Sequence, residues 1–177
     1  MSICAVIGGG AWGSALASVL SQQGHKVNIL VRRPDMASAL MDGVSPRLDH
    51  QAITPPHLAT TDAATALAGA DAVLVVVPVA ATVEALTQIK TYAPAHAAVA
   101  LTAKGLEAST GELQPELAKN HLGRDIVMLC GPSFADEVAA GKPCCLVAAS
   151  HHQGMAQTIA QLFLSSPVRV YTGDDPI

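Results

Sequence analysis

The chain has 177 residues, half of them apolar, 14% charged and only 3% aromatic, with a formal net charge of −4. That length allows one well-packed domain and falls short of two ordinary ones, and the apolar half rules out a disordered chain. A weakly acidic balance excludes a broad basic face for nucleic acid, so any phosphate site must be local.

Short β-branched runs alternate with longer Ala-rich segments. Ile3–Ile7 reads as a strand and Ala11–Gln23 as a helix closed by Gly24. Val27–Val31 is a second strand, ended at Arg32-Arg33-Pro34, with a short helix over Asp35–Met41. The stretch from Asp42 to Ala59 has no periodicity and reads as irregular, with Pro46, Pro55 and Pro56 in it. Asp62 can cap a short helix ending near Gly69, and Ala72–Val77 is a strand stopped by Pro78. Thr82–Tyr92 reads as a helix, Ala97–Leu101 as a strand, and Glu112–Asn120 as a helix with Pro115 in its first turn. Ile126–Leu129 is a strand, Phe134–Ala140 a short helix ended by Gly141, and Cys145–Ala149 a strand. Ser150 then caps a helix to about Leu164, and Val168–Tyr171 is the last strand.

Strands that read as continuous apolar runs are buried on both faces, and strand–helix–strand order gives right-handed parallel crossovers. The expected fold is therefore a Rossmann-type, doubly wound α/β domain with a mainly parallel sheet, spanning residues 1–177 without a repeat or linker.

The sharpest local signal is Gly8-Gly9-Gly10-Ala11-Trp12-Gly13, which fits G-x-G-x-x-G directly after the first strand and at the start of the first long helix. In that position Gly8 makes the tight turn, Gly10 lets a pyrophosphate approach the backbone, and Gly13 lets the helix pack on the strand. The free N–H groups at the helix start attract the diphosphate. The same fingerprint serves nicotinamide and flavin dinucleotides. An NAD preference usually places an acid at the end of the second strand, roughly 20 residues beyond the loop. Here Arg32 and Arg33 occupy that place, and the nearest acid, Asp35, lies past a proline. Guanidinium groups suit a 2′-phosphate, so NADP is expected to bind at least as well as NAD.

Three further segments fall just beyond strand ends: Val77-Pro78, Thr102-Ala103-Lys104-Gly105-Leu106-Glu107, and Cys130-Gly131-Pro132-Ser133-Phe134-Ala135-Asp136-Glu137-Val138-Ala139. Together with the glycine loop they resemble the bacterial NAD(P)-dependent glycerol-3-phosphate dehydrogenase family. Thr61-Asp62, Ala70-Asp71 and Tyr171-Thr172-Gly173-Asp174-Asp175 match as well, so the resemblance spans essentially the whole chain. It implies that Ala11, Trp12, Arg32, Arg33 and Ala135 contact the dinucleotide. It also implies that Lys104 borders both nicotinamide and substrate, and that Gly131 and Ser133 contact the substrate. The implied reaction is hydride transfer between glycerone phosphate and glycerol 3-phosphate, in the cytoplasm, supplying phospholipid synthesis; a homodimer is compatible with it.

Departures from the family pattern lie at Gly9 and Ala11, where Ala and Ser are usual, at Val79, where Ser is frequent, and in Ser45–His50. The family's chain continues into a helical domain that carries a second lysine, the proton acceptor, and phosphate-holding groups. The resemblance thus leads us to expect a chain without its C-terminal domain, which binds cofactor and turns over little. Rival readings are a related hydroxyacid or ketopantoate-type dehydrogenase and a catalytically silent dinucleotide-binding module.

Other signals are weaker. Cys4, Cys130, Cys144 and Cys145 contain no C-x-x-C pair and read as reduced thiols. The seven histidines show no metal-ligand spacing, so no metal is expected. The apolar N-terminus lacks a basic n-region, and the longest aliphatic run is too short to span a bilayer at ~20 residues. No membrane partner is expected.

Overall fold

A computed structural model describes residues 1–176. Among the described residues ten strands and seven α-helices follow one another in chain order, with a 3-10 turn at Val79–Ala81 before the fourth of these helices. The first half comprises β1 (Ile3–Ile7), α1 (Ala11–Gln22), β2 (Lys26–Leu30), α2 (Pro34–Met41), β3 (Val44–Ser45), β4 (Gln51–Ala52), β5 (Leu58–Thr60) and α3 (Ala63–Leu67). The second half comprises β6 (Ala72–Val75), α4 (Thr82–Tyr92), β7 (Ala98–Leu101), α5 (Gln114–Leu122), β8 (Val127–Cys130), α6 (Ala135–Ala139), β9 (Cys144–Ala149), α7 (Gln153–Gln161) and β10 (Val168–Gly173).

Eight strands form one sheet in the order β10-β9-β8-β7-β6-β1-β2-β5. From β1 the chain builds outward through β2 to β5, then returns across β1 to lay down β6 and proceed the other way. The direction reverses between β1 and β6, which creates a crevice at their carboxyl ends. All neighbouring pairs are parallel except β8 with β9. The sheet is therefore mainly parallel, with β9 and β10 reversed relative to the other strands.

Side chains alternate between two cores. Cys4 and Val6 of β1, Ala72 and Leu74 of β6, and Ala98 and Ala100 of β7 enter one core, with Leu16 and Leu20 of α1 and Ile159 of α7. Ala5, Ile7, Val73, Val75, Val99 and Leu101 enter the other, with Leu67 of α3, Leu86 and Ile89 of α4, and Leu117 of α5. Small residues on the first face let α1 lie close to the sheet. On β9 and β10 the second face is open: Val147 and Tyr171 are exposed. No described helix is long and apolar enough to cross a membrane.

Three expectations need correction. The stretch from 42 to 59 is not wholly irregular: it holds the β3–β4 pair and β5, the edge strand beside β2. Proline density and the left-handed turn at Asp49 and His50 hide these short strands from periodicity. Ser150 does not cap α7. Its Oγ instead donates to the Ile126 carbonyl at 2.7 Å, and His152 caps the helix by accepting from the Met155 N–H. Finally, Pro34 opens α2 rather than closing β2, which ends at Leu30.

Burial in the first core pushes the Cys4 thiol up from 9.0 to about 12, with the Asp71 carboxylate adding to the effect. A thiol kept neutral in the fold stabilises it fully below about pH 9, and that contribution is lost as pH rises from about 9 towards 12. Urea unfolding at pH 8 and pH 10 is expected to show wild type losing about 1 kcal/mol more than Cys4→Ala over that interval. Equal losses would contradict the burial effect.

Candidate functional site

The β1–α1 turn occupies the crevice. Gly8 has φ +115°, and a Cβ there would lie 2.2 Å from the Val76 carbonyl oxygen, just past β6. A Cβ on Gly13 would lie 1.9 Å from the Gly8 carbonyl oxygen. Both glycines are therefore demanded by packing within the protein. Gly10 differs: its φ of −71° suits any residue, and nothing lies within 4 Å of a Cβ placed there. Glycine at that position leaves open space for a ligand.

Gly10 is also the N-cap of α1, without a side-chain cap and with no acid in the first turn. The first N–H groups of the helix have no intrahelical acceptors, and the helix dipole adds partial positive charge there. A diphosphate fits this cradle both sterically and electrostatically. Trp12 and Ala11 are half-buried against the first core, at the same turn.

One side of the cradle leads to β2. A Cβ on Gly9 would meet Val31 Cγ1 at 2.5 Å and Met36 Cγ at 3.4 Å, so Val31 fills the space that a methyl would need. That contact accounts for glycine at 9. Arg32, Arg33 and Asp35 lie in the stretch between those two neighbours and are exposed. Arg33 grips Asp35 with two nitrogens: Nε donates to Oδ1 at 2.9 Å and Nη2 pairs with Oδ2. The guanidinium holds the Asp35 carboxyl below its usual range. Among the described residues Arg32 has no such partner.

The other side leads to β6, β7 and β8. Thr102 Oγ1 donates to the Val75 carbonyl at 3.1 Å, tying the end of β7 to β6. Gly105, at φ +131°, brings the Lys104 turn to within 3.5 Å of Val79 Cγ2, measured from a Cβ placed on the glycine. Glu107 staples the rest of the loop, accepting from the N–H groups of Ser109 and Thr110, each at 2.8 Å. Those bonds, with the Ser109 hydroxyl first among them, lower the Glu107 pKa. Lys104 itself is exposed.

Beside Lys104 lies a cavity of about 350 Å³, lined by Gln114, Met128, Cys130 and Val147 among others. Burial raises the Cys130 thiol, and the Lys104 ammonium partly offsets that. Gln114 is 1% exposed, and its amide oxygen and nitrogen have no partner among the described residues. Sequence reading misses these cavity residues, since each is an ordinary apolar or polar residue that only the fold brings beside Lys104.

Gly131 is also required by packing: a Cβ would lie 2.4 Å from the Cys145 carbonyl oxygen. Gly131–Ser133 do not open α6 directly, because that helix starts at Ala135 with Phe134 as N-cap. They form an irregular approach, with Gly131 and Ser133 half-buried. Helix α6 packs on α1, which brings Ala135 to the same core as Trp12. Across the sheet's carboxyl edge, the order is Arg32 (β2), Gly8–Gly13 (β1), Pro78 (β6), Lys104 (β7) and Gly131 (β8). Three strand spacings, ~14 Å, separate the β2 and β7 ends. No group of three or more His, Cys, Asp or Glu side chains that could hold a metal occurs among the described residues.

A doubly wound sheet with an uncapped glycine turn at its switch point defines a Rossmann-type nucleotide-binding domain. Residues 3–156 match the family model for the NAD-dependent glycerol-3-phosphate dehydrogenase N-terminus, and the chain belongs to that family. It is 40% identical over 174 residues to a glycerol-3-phosphate dehydrogenase [NAD(P)+] of Mesorhizobium japonicum, covering 97% of this chain and 51% of the relative. A protein of the same name from Stenotrophomonas maltophilia is 38% identical over 177 residues, with 98% and 52% covered. The chain thus spans about half the length of these curated relatives. The crystal structure of glycerol-3-phosphate dehydrogenase from Coxiella burnetii superposes with TM-score 0.86 at 31% identity, covering 98% of this chain and 54% of that one. A ketopantoate reductase from Ralstonia eutropha, at TM-score 0.73 and 20% identity over 99% of this chain and 57% of that one, shares the fold.

The glycines separate packing from binding. Gly8→Ala and Gly13→Ala are expected to cost about 1–3 kcal/mol in urea unfolding. Gly10→Ala should stay within about 0.5 kcal/mol of wild type. A large loss for Gly10→Ala would show that the protein, rather than a ligand, needs glycine there.

Proposed function

We propose that this domain binds NADP(H) or NAD(H) along the carboxyl edge of its sheet. In the whole protein it would serve reversible hydride transfer between glycerone phosphate and glycerol 3-phosphate. The observation that carries the reading is the uncapped turn at Gly10, whose open space has no use in the protein's own packing. Membership of the family supplies the substrate class.

Under this reading the N–H groups at Gly10–Gly13 hold the diphosphate, with Ala11, Trp12 and Ala135 bordering it. Arg32 and Arg33 meet the adenosine ribose, where a guanidinium can take a 2′-phosphate by two parallel hydrogen bonds. When bound, the nicotinamide supplies the hydride chemistry. Lys104, at the end of β7 on the other side of the turn, places an ammonium where a substrate phosphate or polarised oxygen would lie. Gly131 and Ser133 offer backbone and hydroxyl beside it, and Met128 and Val147 line the adjoining cavity. Fixing both partners in one geometry is the domain's contribution to rate.

The 177 residues constitute the dinucleotide-binding domain in this proposal, and the other half of the relatives' length supplies the substrate domain with its proton-accepting lysine. Its setting is cytoplasmic supply of glycerol phosphate for phospholipids, in a protein that can pair as a homodimer.

Fluorescence titration with NADPH and NADH tests this. Both are expected to bind, NADPH at least as tightly. Arg32→Ala should weaken NADPH about tenfold or more while leaving NADH within about twofold. Gly10→Ala should weaken both. Failure of wild type to bind either nucleotide would overturn the proposal. Measurable glycerol 3-phosphate oxidation by these 177 residues would instead contradict the division of labour between domains.

A further inference from the structure

The Arg33–Asp35 pair stands at the place where the end of β2 meets the glycine turn. Arg33 is the N-cap of α2, Pro34 is at the start of the helix, and Asp35 lies in the first turn. Proline fixes φ, and the helix fixes the residues after it, so the carboxylate folds back over the residue that precedes the proline. Sequence spacing alone places Asp35 beyond a proline; the structure brings its carboxylate back to Arg33. The side chains of Arg33 and Asp35 are 66% and 62% exposed, so the pair presents its free edges to solvent, in the stretch between Val31 and Met36 that borders Gly9. Arg32, without a partner among the described residues, lies next to it.

Two ligands make opposite demands here. A ribose 2′-hydroxyl is a neutral donor, and a carboxylate is its strongest natural acceptor. A 2′-phosphate is an acceptor with about two negative charges, which a carboxylate repels and a guanidinium attracts. Asp35 satisfies the first and opposes the second, both by its own charge and by occupying Arg33.

We propose that Asp35 is a specificity-determining residue of the ribose pocket, which accepts the 2′-hydroxyl of NAD(H) and withholds Arg33 from the 2′-phosphate of NADP(H). Arg32 is then the free cation for the phosphate, and Arg33 joins only by exchanging its carboxylate for the phosphate. The pair thus admits both cofactors and limits the advantage of either. An exposed ion pair is weak, so this exchange costs little and the pocket stays permissive. The depressed Asp35 pKa, caused first by the Arg33 hydrogen bond, keeps the carboxylate ionised at neutral pH. This inference rests on the dinucleotide reading above.

The test is titration of wild type, Asp35→Asn and Asp35→Glu with NADPH and NADH at one fixed ionic strength. Asparagine keeps the shape but removes the charge. Asp35→Asn is expected to bind NADPH about two- to tenfold more tightly and NADH about two- to tenfold more weakly, moving their ratio by about tenfold or more. Asp35→Glu, which keeps the charge, should move the ratio back towards wild type. An unchanged ratio would overturn the inference, as would equal weakening of both nucleotides, since that marks a purely structural role at the start of α2. If wild type binds neither nucleotide, the dinucleotide reading fails and this inference with it, an outcome distinct from an unchanged ratio.

Discussion

The turn after β1 passes so close to β6 that a single methyl at Gly8 would sit 2.2 Å from the Val76 carbonyl oxygen, and one at Gly13 would sit 1.9 Å from Gly8. Strand, helix and neighbouring strand thus meet with no side chain between them. That closeness points the start of α1 into the crevice where the sheet reverses its winding order. The N-cap there is Gly10, which has no side chain to supply the usual cap. The unused N–H groups are then a consequence of glycine at the cap, in a place where the packing leaves open space. A larger residue at Gly8 or Gly13 would lift the helix off the sheet and close or tilt the cradle.

The other candidate residues take their places from the same constraint. Parallel pairing of β2, β1, β6 and β7 brings all their carboxyl ends to one edge, so Arg32 and Lys104 flank the turn from opposite sides. The flanks are built differently. On the β2 side, Val31 and Met36 reach the turn and leave charged neighbours exposed. On the β7 side, Thr102, Gly105 and the Glu107 staple hold a loop that carries its lysine beside an apolar cavity. A charged end and an apolar end along one edge suit a ligand that is anionic at one extremity and flat at the other.

Much of this is legible in the sequence, for identifiable reasons. Helix α4 has the bounds its residues suggest, because Thr82–Tyr92 has regular apolar spacing between a proline and Ala93-Pro94. Strand β1 is clear because five apolar residues run straight into glycines. The glycine turn is legible because its context, strand then helix, is local. The hidden features depend on contacts distant along the chain. β5 has three residues and is a strand only because β2 offers it hydrogen bonds. The reversal at β9 shows only in its pairing with β8, Met128 against Ala149, which no local pattern announces. Ser150 has a capping residue's chemistry, but the Ile126 carbonyl takes its hydroxyl. Asp35 looks too distant by spacing, whereas the bend at Pro34 brings it back to Arg33. Gly131 illustrates the converse: the family pattern marks it as a substrate contact, and the Cys145 carbonyl gives it a packing reason as well.

The measurement closest to the central claim is the map of backbone amide NMR shifts when NADPH is added to the isotopically labelled chain. The account predicts the largest changes at the amides of residues 10–13, with further changes at 32–35, 104 and 135, and little at β9 and β10. Saturable shifts that leave residues 10–13 unmoved would contradict it, because the nucleotide would then be held somewhere other than the start of α1.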